Sequence, residues 1–142
     1  MKKIFFVLAL VASIQFAGAQ TKSVGAAKTA VETAKAAVEN VKKNTKAATW
    51  IKYGQALLDA YNAPAGNYWS GMTQNDIKLV GGSEKPLSEE QVVINGQPMI
   101  KQIFDNKELY FDQSGVLSII NVTKPAVENA LTQALDAFKK AN

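Results

Sequence analysis

Apolar residues recur with a helical period at both ends of the chain and with a two-residue period between them. Val24, Ala27, Val31, Ala34, Val38 and Val41 fall at intervals of 3, 4, 3, 4 and 3, the stripe of an amphipathic helix. Ala30 and Ala37 widen that stripe with small side chains, which lets a neighbouring helix approach closely. A second helix is expected to about Tyr61, capped by Asn44 or Thr45 and showing Trp50, Gly54, Leu57 and Tyr61 on one face. Asn62-Ala63-Pro64 ends it, because proline cannot continue a helix. A third stripe, Val127, Leu131, Ala134, Leu135, Phe138 and Ala141, predicts a C-terminal helix with Thr123 as its cap and Pro125 in its first turn.

Between these helices the chain is rich in Gly, Asn, Ser and Pro. Thr73 and Asp76 make a capping-box-like pair for one short helix, with Gly81 to close it. From Gln91 onward the pattern becomes that of strands. Asn95-Gly96 is the signal of a type I′ turn, so 91–94 and 99–104 read as one hairpin. Glu108–Asp112 and Val116–Val122, joined through Gln113-Ser114-Gly115, read as a second. The expected class is therefore α+β: two antiparallel N-terminal helices, a small antiparallel β-hairpin region, and a C-terminal amphipathic helix packing on the helices.

Residues 1–19 have the three zones of a secretory signal peptide: Lys2 and Lys3, an apolar run from Ile4 to Ile14, and the small residues Ala17-Gly18-Ala19. Cleavage is expected before Gln20, leaving 20–142 as one helical domain with a β insertion at about 62–122. The apolar run is shorter than the roughly 20 residues that span a bilayer, and no Cys follows it to carry a lipid. The expectation is a periplasmic protein without a membrane anchor, with secretion as the second destination. Removing Lys2 and Lys3 from 16 basic residues leaves fourteen against 12 acids, a net charge of +2. With no Arg at all, that charge argues against a nucleic-acid partner.

Catalytic chemistry is constrained by what is missing. The chain has no His for an imidazole base, no Cys for a thiolate and no Arg for an anion clamp. Glu89-Glu90 is the only adjacent acid pair, and on an extended strand its side chains point to opposite faces. A carboxylate hydrolase would need two such groups facing one cleft, roughly 5–10 Å apart. Asp105-Asn106 and Asp112-Gln113-Ser114-Gly115 match no calcium-loop spacing and read as turns. The chain is read as non-enzymatic, with no metal and no cofactor.

The segment Trp50-Ile51-Lys52-Tyr53-Gly54-Gln55-Ala56-Leu57 resembles the first helix of a tetratricopeptide repeat, with Tyr53 where that family usually has Leu and Leu57 where it usually has Tyr. Ala134, Phe138 and Ala141 match the spacing of its second helix. About sixty residues separate the two halves, where a tight turn is usual. The chain is similar to exported tetratricopeptide repeat proteins of Bacteroidetes type, and that similarity implies a longer parent with further repeats after Asn142. It also implies a protein or peptide partner bound against the face bearing Trp50, Tyr53 and Leu57. The alternative is a glycan or small ligand stacked on the loop aromatics Tyr68 and Trp69 and the strand aromatics Phe104, Tyr110 and Phe111. The edge of the small sheet is a further candidate surface, able to accept an extended peptide.

Overall fold

The computed structural model describes residues 21–80 and 84–142. The proposed signal segment and Gly81 lie outside the described residues. The element order is α1 (Val24–Glu39), α2 (Ala47–Asn62), a 3₁₀ turn (Ala63–Ala65), α3 (Gln74–Val80), β1 (Ser88–Ile94), β2 (Gln97–Ile103), β3 (Lys107–Phe111), β4 (Leu117–Val122) and α4 (Ala130–Lys140). The fold is α+β, with four helices and one four-stranded antiparallel meander in the order β1-β2-β3-β4 among the described residues.

Two cores form. One is helical, where α1 and α4 both pack on α2 through Ala27, Val31, Val38, Tyr53, Leu57, Ala60, Ala130, Ala134 and Ala137. The other lies under the sheet, where Tyr68, Met72, Phe104, Leu109, Phe111 and Leu117 are buried together, with Ile77 and Val80 of α3 against them. The 3₁₀ turn joins the two: Ala63 belongs to the helical core, and the turn packs on β4. Its Pro64 is fully buried. No helix among the described residues is long and apolar enough to cross a membrane.

Local signals explain several boundaries. Ser23 caps α1 by accepting the Ala26 N–H at 3.2 Å. The Thr73/Asp76 box forms reciprocally: the Thr73 N–H donates to Asp76 Oδ2 at 2.8 Å, and the Asp76 N–H donates to Thr73 Oγ1 at 3.3 Å. Asn95 and Gly96 take φ of 52° and 79°, the positive pair that a type I′ turn requires. Tyr110 pairs with Ile119 and Phe111 with Leu117, so a bulge at Ser118 steps the register by one residue.

Other boundaries move. The cap of α2 is Lys46, without a side-chain bond, and Asn44 and Thr45 lie in the preceding turn. Helix α1 stops at Glu39, which leaves Val41 80% exposed. Tyr61, expected on the packed face of α2, is 51% exposed. Helix α4 begins at Ala130, not near Pro125, with Asn129 in the left-handed region at φ 53°. The Thr123 and Lys124 N–H groups both donate to the Asn106 carbonyl, which ties this segment to the turn between β2 and β3. The buried face of α4 is consequently Ala130, Ala134 and Ala137, while Leu131 and Leu135 are 46% and 55% exposed.

Candidate interaction surface

The three residues assigned to partner binding on α2 are occupied within the chain. Leu57 is fully buried and Tyr53 nearly so, both in the core shared with α1 and α4. The Tyr53 hydroxyl donates to Gln133 Oε1 of α4 at 3.1 Å. A methyl built on Gly54 would lie 2.6–2.9 Å from three ring carbons of Phe138, so the Phe138 ring of α4 occupies the space that a side chain at position 54 would need. Trp50 is half-buried. Its indole N–H donates to the Asn44 carbonyl at 2.7 Å, and Lys140 Nζ lies 4.6 Å from the ring centroid. This face is filled by α4, not by the strands, and a groove is not open there.

The aromatic alternative is divided by the register. Antiparallel pairing sets Tyr110 opposite Lys101 and Ile119 on one face of the sheet, and Leu109 and Phe111 on the other. Tyr68 is buried on the Leu109 side, its ring centroid 6.5 Å from that of Phe104. Burial and the neighbouring Glu84 carboxylate push the Tyr68 phenol up to about 12. Trp69 alone is well exposed, at 54%. Tyr68, Trp69 and Tyr110 thus form no common stacking platform, and Phe104 and Phe111 are core residues.

On the Tyr110 face the ionisable groups satisfy one another. Lys101 Nζ lies 2.8 Å from Glu90 Oε1 and 3.4 Å from Glu108 Oε1. Asn121 and the Tyr110 hydroxyl donate to Glu108 Oε2 at 2.9 and 2.8 Å. These bonds, with the Lys101 charge, hold the Glu108 carboxyl below the usual range, and the Glu90 bond raises Lys101. Glu89 points to the opposite face, where it accepts from Gln102 Nε2 at 3.0 Å. The two carboxylates of the adjacent pair therefore never share a cleft. Among the described residues, no cluster of three or more acids has metal-binding geometry.

The remaining surface is a groove of about 760 Å³ on the Phe111 side of the sheet. Ile77 and Val80 of α3 pack on the core that holds Leu109, Phe111 and Leu117, and Gln74 lines the groove, where Ile100 and Phe111 form a floor beneath Glu89, Gln91, Val93 and Gln102. Sequence reasoning did not single out Gln91 and Gln102. Their signal was present: polar side chains at alternating positions on a face that is apolar in β3 mean that this half is wet.

The groove adjoins a free edge. At the other edge, the start of β4 is bonded to the loop before α3, where Gly71 N–H donates to the Leu117 carbonyl at 2.7 Å and Leu117 N–H to the Met72 carbonyl at 2.9 Å. No backbone among the described residues bonds to the outer side of β1. The two-residue turn makes Ile94 and Gln97 a hydrogen-bonded pair, and alternation makes Val93/Pro98, Gln91/Ile100 and Glu89/Gln102 non-bonded pairs. Pro98, which has no N–H, sits at a position that needs none. The backbone N–H and C=O of Glu89, Gln91 and Val93 consequently point away from β2, and their side chains line the groove. Comparison with protein-family models, with curated proteins and with solved structures finds no match to this chain.

Proposed function

We propose that this chain is a non-enzymatic exported interaction module whose helices form a frame and whose inserted sheet carries the binding surface. Residues 1–19 direct it to the periplasm, and the domain from Gln20 onward meets a protein or peptide partner there. Helices α2 and α4 form a pair of tetratricopeptide-repeat character, closed by Gly54 against Phe138. The repeat-like face is used up inside the chain, which moves the partner surface to the strands. The observation that carries this reading is the β1 edge, unpaired among the described residues, beside an open groove, the arrangement by which extended peptides add to sheets.

The test is selection of a phage-displayed random peptide library on the purified protein. Peptides enriched on the wild type should lose retention on Gln91→Pro, because that substitution removes an outward N–H and leaves the β1–β2 ladder intact. Retention should persist on Leu131→Asp, which alters the exposed flank of α4. Failure to enrich any peptide, or a pool that depends on Leu131 and ignores Gln91, would contradict the proposal.

A further inference from the structure

The open edge of β1 selects its occupant by charge. We infer that the edge and groove take an extended segment bearing lysine or arginine, added to β1 as a fifth antiparallel strand with alternate side chains entering the groove. The inference rests on the reading of the sheet as the binding surface and names the partner chemistry.

Three observations converge on it. First, the edge supplies three outward N–H/C=O sets, at Glu89, Gln91 and Val93, along a strand of seven residues. At about 3.4 Å per residue this matches five to seven residues of extended chain. In an antiparallel addition, the residues opposite those three share their face and point into the groove.

Second, the groove is lined by carboxylates and amides with no lysine among them, in a chain whose 16 basic residues are spread along its length. Glu89 uses one carboxylate oxygen for Gln102. Asp112 uses Oδ1 for the Ser114 and Val116 N–H groups at 2.9 and 3.0 Å. The second oxygen of each has no donor among the described residues. The amides of Gln74, Gln91 and Gln113 offer further hydrogen bonds without opposing charge. A cationic side chain entering beside Glu89 meets a carboxylate oxygen without a donor and no lysine among the lining residues.

Third, the competing occupants fit worse. Antiparallel pairing of β1 with β1 of a second copy, centred on Gln91, would set Glu89 opposite Val93 and Glu90 opposite Val92, bringing no cation to the second Glu89 oxygen. A glycan would find no exposed ring, since Phe111 on the floor is 2% exposed and Trp69 does not line the groove.

The test uses three fluorescein-labelled octapeptides with the same Val/Thr alternation, carrying Lys, Gln or Glu at every fourth position, and a hexasaccharide of N-acetylglucosamine. Fluorescence anisotropy should show the Lys peptide binding about threefold tighter than the Gln peptide at low salt, as one partly exposed ion pair gives. The advantage should shrink at high salt. The Glu peptide should bind most weakly. Glu89→Lys should reverse the order of the Lys and Glu peptides, and a reversed preference also shows that the variant is folded. Equal binding of all three peptides, still lost on Gln91→Pro, would overturn the charge selection and leave peptide binding standing. Saccharide binding, measured by competition or tryptophan fluorescence, with no peptide binding would overturn both.

Discussion

Gly54→Ala is expected to destabilise the protein by about 1 kcal/mol net, although glycine within a helix is ordinarily the worse residue by about that amount. The added methyl falls 2.6, 2.7 and 2.9 Å from three carbons of the Phe138 ring. Overpacking of this kind costs roughly 1–3 kcal/mol, which outweighs the gain in helix propensity. Gly25→Ala is the contrast. It sits in the first turn of α1 with no neighbour within 4 Å, so it should be neutral to stabilising by up to about 1 kcal/mol. The double-mutant cycle identifies the cause. Phe138→Ala alone should cost about 2–4 kcal/mol through lost burial. Gly54→Ala made in that background should become neutral or favourable, a coupling above about 1 kcal/mol. Urea unfolding of the four proteins measures it. An unchanged cost of Gly54→Ala without the ring would mean that α2 and α4 do not meet as described.

The largest electrostatic effect should come from Glu84→Gln. Lys107 is the only charged residue buried among the described ones, its side chain 3% exposed beneath Tyr68 and Phe104. Glu84 Oε1 lies 2.7 Å from its ammonium. Removing one partner from a buried pair costs roughly 3–5 kcal/mol, because a desolvated charge is left behind. Glu84 is 41% exposed, so water recovers part of that, and about 2 kcal/mol is expected. Lys107→Met keeps the volume, removes the charge and should cost under about 1 kcal/mol. The double variant should resemble Lys107→Met alone.

The same cluster has an alkaline signature. The folded Tyr68 phenol titrates near 12 and its unfolded counterpart near 10, so the contribution is whole below 10 and lost as pH rises towards 12. Tyr68→Phe should delete the last phenolate to appear in an absorbance titration. A Lys107→Met variant as unstable as Glu84→Gln would show that the ammonium's ring contacts, not its charge balance, hold this corner together.

Features that depend on a few neighbouring residues could be read without coordinates. The Thr73/Asp76 box, the Asn95-Gly96 turn and the stop at Pro64 are set within three or four residues, and they form where expected. Features decided by a distant partner could not. Thr123 and Pro125 look like a helix start, but the Asn106 carbonyl binds the N–H groups of Thr123 and Lys124. In α4 the leucine stripe looked like the buried face. The face of α4 that packs on α2 is instead Ala130, Ala134 and Ala137, with the Phe138 ring laid on Gly54, and Leu131 and Leu135 turn outward. The candidate site was hidden for a related reason. Trp50, Tyr53 and Leu57 are the conspicuous residues of α2, and conspicuous apolar residues are most often core. Gln91 and Gln102 draw no notice singly, and acquire meaning only once pairing sets them beside Ile100 and Leu109.

Amide hydrogen exchange tests, residue by residue, whether a partner strand completes the β1 edge. In the free protein the Glu90 and Val92 amides, bonded to β2, should exchange slowly, while those of Glu89, Gln91 and Val93 exchange fast. With saturating Lys octapeptide the three fast amides should slow by about tenfold or more, as they gain backbone partners. Peptide binding that leaves Glu89, Gln91 and Val93 exchanging as before would contradict strand addition at β1.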